Sequence, residues 1–188
     1  MAAVPRMQER YVKEVLPALA AQLGRANRHS LPRIDKIVVN MGVGSAVQEK
    51  KDLETAADAM SQITGQRPII TKARVAIAGF RLREGVAIGC KVTLRGRRMY
   101  EFFDRLVTLA LPRVRDFRGV SDTAFDHHGN FSIGLAEQLV FPELNPDKFT
   151  RPQGMNVTIV TSVAADDEAR ELLRLMGMPF RRDTAGAA

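Results

Sequence analysis

The run Ile88-Gly89-Cys90-Lys91-Val92-Thr93-Leu94-Arg95 alternates without a break. Successive side chains of an extended chain point to opposite faces. Ile88, Cys90, Val92 and Leu94 therefore share one face, and Gly89, Lys91, Thr93 and Arg95 share the other. A strand with one apolar and one polar, basic face belongs to a sheet that is covered on one side only. Gly96 ends the strand. A helix is predicted over 97–111, with Met99, Phe102, Phe103, Leu106 and Ala110 as its apolar stripe and Pro112 as its stop.

Working outward, a helix is predicted over 7–23, where Tyr11, Val15, Leu19 and Leu23 recur at four-residue spacing. Pro17 would kink it or mark a second start, and Gly24 ends it. Residues 34–41 read as a strand with Ile37, Val39 and Met41 on one face and Lys36, Val38 and Asn40 on the other. Gly42-Val43-Gly44-Ser45 reads as a tight turn needing positive φ. A helix from about Gln48 carries Leu53, Ala56, Ala57, Met60 and Ile63, with Gly65 as its C-cap. Pro68-Ile69-Ile70 reads as a short strand. The segment 71–85 fits either a buried strand or a projecting basic loop with an apolar tip.

Residues 113–130 read as loop, 133–141 as an alternating strand and 155–162 as another. The last helix opens on Asp166, Asp167 and Glu168, where the helix dipole favours negative charge, and buries Leu172, Leu173 and Met176. The order α-β-α-β-β-α-β-β-α implies an α+β fold: a mainly antiparallel sheet with helices on one face. No repeat or linker divides the chain, so one domain is expected over 1–188, with 183–188 a frayed tail.

The chain has 188 residues, 45% of them hydrophobic and 26% charged, the balance of a folded protein. One cysteine excludes an internal disulfide framework and a zinc ribbon. No apolar run approaches the ~20 residues of a membrane span, and residues 1–15 hold no signal-like stretch. A cytoplasmic setting is expected. The formal charge of +7 is uneven: residues 67–118 hold 13 Lys/Arg against 4 Asp/Glu, so the rest of the chain is slightly acidic. A basic block inside a folded chain points to a polyanion, and its many arginines suit phosphate oxygens and base edges.

No catalytic constellation emerges. Gly42-Val43-Gly44 sits between a strand and a helix, but Val47 occupies the third glycine position of a dinucleotide fingerprint. His127 and His128 are adjacent, which seldom aims both at one metal. Cys90 lies on the apolar face. No cofactor and no metal are expected. The polar row Lys91, Thr93, Arg95, joined by Asn40, offers donors and acceptors without the aromatic residues that stack single-stranded bases. With aromatics at only 6%, that open face suits folded RNA.

These residues also carry a resemblance. Asn40-Met41-Gly42-Val43-Gly44, the run 65–73 (GQRPIITKA), Ala78-Gly79-Phe80, the run 88–96 (IGCKVTLRG) and the run 112–119 (PRVRDFRG) resemble the bacterial form of the fifth large-subunit ribosomal protein, over roughly 7–182. The resemblance implies a non-enzymatic ribosomal constituent of the central protuberance. Its sheet face would bind 5S rRNA through Asn40, Gln66, Lys91, Thr93 and Arg95. It also implies that 74–85 projects as a loop to peptidyl-site tRNA, through Arg74, Val75, Ile77, Gly79, Phe80, Arg81 and Arg83. Val75-Ala76 stand where the family often has basic residues. Arg113, Arg115, Asp116, Arg118, Glu143 and Asp147 would face a small-subunit head protein in an intersubunit bridge. The remaining implied partners are 23S rRNA and neighbouring central-protuberance proteins, with no membrane.

Overall fold

Strand Ala87–Leu94 (β3) forms as the alternation predicts: Cys90, Val92 and Leu94 are buried and Lys91 is exposed. A computed structural model describes residues 4–181, so the expected tail at 183–188 lies outside the described residues. The chain opens with α1 (Arg6–Arg10), a π-helical turn (Tyr11–Val15) and α2 (Leu16–Leu23). Then follow β1 (Ile34–Gly42), α3 (Lys50–Thr64), β2 (Ile69–Lys72) and β3. After them come α4 (Gly96–Arg105), β4 (Phe131–Leu135), β5 (Met155–Thr161) and α5 (Asp166–Leu175).

The five strands form one sheet in the order β2-β3-β1-β5-β4. It is an antiparallel α+β arrangement, as expected. β2 pairs antiparallel with β3, Ile69 opposite Lys91, Ile70 opposite Cys90 and Thr71 opposite Gly89, with an irregularity before Lys72. The Val43 N–H donates to the Ile88 carbonyl at 2.8 Å. Continued without a bulge, that register sets Asn40 across from Lys91 and Gly42 across from Gly89.

By its internal contacts the described chain divides into two compact units: up to 37 with 95–133 and from 158 on, and 38–94 with 134–157. In the second unit α3 packs on β3. Leu53, Ala56, Ala59, Met60 and Ile63 are buried, as are Val39, Met41, Cys90, Val92 and Leu94. Ala59 rather than the expected Ala57 faces inward. Gly65 caps α3 at φ 65°, its N–H donating to the Ser61 carbonyl. In the first unit α1 packs on α4, with Met7, Tyr11, Phe102, Phe103 and Leu106 buried and Arg6 Nη2 2.5 Å from Asp104 Oδ1. Phe125, Phe131 and Phe180 meet with ring centroids 5.0–6.4 Å apart.

Two π turns, Tyr11–Val15 and Leu106–Ala110, each lie one residue short of a proline. Leu16 donates to the Tyr11 carbonyl ahead of Pro17, and Leu111 donates to the Leu106 carbonyl ahead of Pro112. A proline ring crowds the carbonyl four residues back and donates no hydrogen bond. The wider turn relieves that crowding at Lys13 and Thr108 and lets the helical path continue. The segment 7–23 thus neither breaks nor restarts at Pro17.

Two expectations are corrected. The tight turn after β1 has no positive φ at Gly42 or Gly44. Val43, at φ −111° and ψ 81°, leads instead into a 3-10 turn over Gly44–Val47. The predicted strand at 133–141 begins earlier and stops at Leu135, followed by a 3-10 turn at Gln138–Val140. Gln138 is buried there, its Nε2 donating to the Arg151 carbonyl and its Oε1 accepting from the Gln153 N–H. That satisfied amide holds the segment out of a strand.

A Cβ on Gly89 would lie 2.7 Å from the Met41 carbonyl and 2.9 Å from Thr71 Oγ1, whereas a Cβ on Gly79 would meet open space. Gly89→Ala is expected to lower stability by about 1–3 kcal/mol. Gly79→Ala should stay within about 0.5 kcal/mol of the parent. Urea denaturation measures both; equal stabilities would contradict the close approach.

Candidate nucleic-acid interface

The uncovered side of the sheet carries the polar row. Along β3, Lys91 and Thr93 project about 7 Å apart, Lys91 fully exposed and Thr93 half-buried. Arg95 follows in an extended conformation (φ −138°, ψ 161°) as the N-cap of α4, and is exposed. Across the strands Ile69 stands opposite Lys91, and the register continued from the Val43–Ile88 bond puts the half-buried Asn40 on the other side of Lys91. Gln66 lies in the turn between α3 and β2, its Nε2 donating to the Thr93 carbonyl at 3.4 Å. Thr64 Oγ1, 2.7 Å from the Met60 carbonyl and 3.1 Å from that of Gln66, ties this turn to the end of α3. Asn40, Gln66, Lys91 and Thr93 thus fall within one unit. Neither Lys91 nor Arg95 forms an ion pair among the described residues.

Charge accumulates beyond the row. α4 starts Gly96-Arg97-Arg98 with no acidic residue in its first turn. Arginines at the positive end of a helix dipole are mutually unfavourable, and an anion placed there relieves the repulsion. Arg67 and Lys72 are exposed beside β2.

Sequence reasoning missed Ile69. It is 67% exposed and stands directly opposite Lys91 on the open face. Its place is set by cross-strand register, which alternation within one strand does not reveal.

Residues 74–81 and 83–85 are exposed. The Ala73 N–H donates to the Val86 carbonyl and the Gly85 N–H to the Ala73 carbonyl, closing the base of the excursion. Further out, Ile77 and Leu82 exchange backbone hydrogen bonds of 2.9 and 3.1 Å around a 3-10 turn at Ala78–Phe80. Arg81 completes that turn at φ 52°. The tip presents Phe80, 75% exposed, and Val75, 67% exposed. Arg74, Ile77, Gly79, Arg81 and Arg83 are exposed around it. Arg113, Arg115, Asp116 and Arg118 are exposed in the loop after α4, and Glu143 and Asp147 in the loop after β4.

Cys90 is buried, and burial pushes its thiol from 9.0 up to about 11. His127 is exposed at φ 62°, with Nδ1 3.3 Å from Asp166 Oδ2. Among the described residues no group of three His, Cys, Asp or Glu could hold a metal ion. No helix among them is long and apolar enough to cross a membrane.

A one-sided antiparallel sheet with a polar, basic and aromatic-free outer face is suited to RNA contact through phosphates and 2′-hydroxyls rather than base stacking. Comparison with known proteins identifies the family. The pattern described as ribosomal L5P family C-terminus matches residues 87–180, and that of Ribosomal protein L5 matches 27–83. The large ribosomal subunit protein uL5 of Rhodopirellula baltica is 62% identical over 189 residues, covering 98% of this chain and 96% of its own. Those of Carboxydothermus hydrogenoformans and Streptococcus thermophilus are 52% and 55% identical, covering 95% and 94% of this chain and 100% and 98% of their own. The chain belongs to the ribosomal protein L5 family, a family of structural, non-enzymatic proteins.

The rise from 9.0 to about 11 at Cys90 lowers the thiolate fraction at pH 8 about a hundredfold. DTNB should therefore label the native protein far more slowly than the protein unfolded in guanidinium. Equal rates would mean that β3 does not bury this side chain.

Proposed function

We propose that this structural protein of the large ribosomal subunit binds 5S rRNA through the open sheet face. The observation that carries the reading is the row Ile69, Lys91, Asn40 on a face without aromatic side chains, continued along the chain by Thr93 and Arg95. Such a surface hydrogen-bonds phosphates and 2′-hydroxyls of a folded RNA rather than stacking unpaired bases. Gln66 supports the face through its bond to the Thr93 carbonyl. The basic segment 67–118 captures the polyanion at long range, and the polar row fixes it at short range.

The exposed 74–85 excursion serves as a second contact, to peptidyl-site tRNA in the cytoplasmic ribosome. Its arginines Arg74, Arg81 and Arg83 surround an apolar tip. Guanidinium groups pair with phosphates, and Phe80 offers a flat apolar surface to sugars. The exposed charges of the loops after α4 and β4, Arg113, Arg115, Asp116, Arg118, Glu143 and Asp147, are suited to a polar intersubunit contact with a small-subunit head protein. The same assembly brings 23S rRNA and neighbouring central-protuberance proteins within reach.

Lys91→Ala with Arg95→Ala is expected to weaken 5S rRNA binding by about 1–3 kcal/mol per contact. Filter binding against 5S rRNA, an unrelated structured RNA and duplex DNA, at several salt concentrations, measures it. Wild-type binding by a folded double variant would overturn the sheet-face assignment. Deleting residues 76–80 should leave 5S rRNA affinity intact and reduce tRNA retention in assembled ribosomes. Equal loss of both would make the loop part of the 5S rRNA site.

A further inference from the structure

The first unit holds a basic cluster outside the 67–118 block. Residues 25–33 read Arg25-Ala26-Asn27-Arg28-His29-Ser30-Leu31-Pro32-Arg33. They bound a cavity of about 310 Å³ lined by Tyr11, Leu16, Arg28, His29, Leu31 and Arg33. Small-molecule pockets span about 300–1,000 Å³, so this one is of a size for a single nucleotide. Its floor is apolar, with Tyr11, Leu16 and Leu31 buried. Its rim carries the exposed side chains of Arg28, His29 and Arg33, two of them cationic guanidinium groups.

The rim is built rather than loose. Asn27 Oδ1 accepts from the His29 N–H at 2.9 Å, and Ser30 Oγ donates to the Asn27 carbonyl at 2.8 Å. Arg25 donates to the Ser30 carbonyl at 3.2 Å while its guanidinium grips Glu168 with two bonds of 2.6 and 2.9 Å. The floor is fixed as well: the Tyr11 hydroxyl donates to the Pro32 carbonyl at 2.9 Å. Arg28 pairs with no carboxylate among the described residues. Arg33 has one exposed acidic neighbour, Asp35, at 3.5 Å. The charges of both arginines act on the Tyr11 phenol, which burial holds up at about 12.

We propose that this cavity is a nucleotide pocket, taking one nucleoside phosphate with its phosphate on Arg28 and Arg33 and its base against Tyr11, Leu16 and Leu31. The guanidinium forks supply directed donors for phosphate oxygens, and the apolar floor accepts a flat ring. The ligand is either an unpaired nucleotide of an RNA or a free mononucleotide. None of these residues belongs to the sheet face, so the pocket does not rest on the 5S rRNA reading.

The test is an NMR titration of the ¹⁵N-labelled full chain. The probes are AMP, inorganic phosphate, an RNA hairpin with one bulged adenosine and the same hairpin fully paired. AMP and the bulged hairpin should saturably shift the amides of Arg28, His29, Leu31 and Arg33. Arg28→Ala with Arg33→Ala should weaken both by about tenfold or more. Spectra unchanged elsewhere establish that the variants fold. The Lys91→Ala/Arg95→Ala protein should keep these shifts, which separates failure of the pocket from failure of the sheet-face reading. Tighter binding of the bulged than of the paired hairpin assigns the pocket to RNA, and tighter binding of AMP than of either assigns it to a free nucleotide. Inorganic phosphate binding as well as AMP, shifts insensitive to Arg28 and Arg33, or no saturable shift with AMP or the bulged hairpin would overturn the proposal.

Discussion

The missing side chain at Gly89 fixes how closely β1 and β2 lie on β3. The Met41 carbonyl and Thr71 Oγ1 occupy the space that a Cβ would need. With both neighbours at that distance, the register holds Lys91 between Ile69 and Asn40. The opposite face puts Cys90, Val92 and Leu94 into the core. A slip of one residue would send those three into water and drive Lys91 inward, so the register is held by burial and by steric fit at once. The polar face is therefore a by-product of core formation.

Much of this was legible because it rests on short-range pattern. The alternation of β3, the stripe of α3 and the cap at Gly65 each follow from a single stretch of chain. What escaped depends on partners distant in sequence. Ile69 is an apolar residue on the open face because the register of β2 puts it there. Residues 136–141, read as the second half of a strand over 133–141, form none, because the Gln138 amide bonds to the backbone at Arg151 and Gln153. Pro17 was read as a kink or a second start, whereas a turn widened by one residue carries the helix past it; at Pro112 the helical path does end, at Arg113. Tyr11 was read only as part of a helix stripe, and its second role as the floor of a cavity required the fold of residues 28–33.

Charge is used in two ways. In the first unit Arg6 and Arg25 are spent on Asp104 and Glu168, holding α4 and α5 in place. In the second unit Arg151 grips Asp52, which also accepts the Ser45 hydroxyl. Lys91, Arg95 and Arg28, by contrast, have no carboxylate partner among the described residues. Solvated cations of this kind add little to the stability of the chain itself. Unpaired cations of this kind contribute most when a polyanion approaches, because bound counterions are then released.

The hairpin at 74–85 has a cost outside the ribosome. Its reciprocal bonds between Ile77 and Leu82 hold the tip in shape on their own, and they also hold Phe80 in water. Ile69 and Val75 add to the apolar surface left uncovered. Surplus chains carrying such patches attract one another and invite degradation. A cell making this protein gains from matching its synthesis to the supply of RNA, so that few copies wait unassembled.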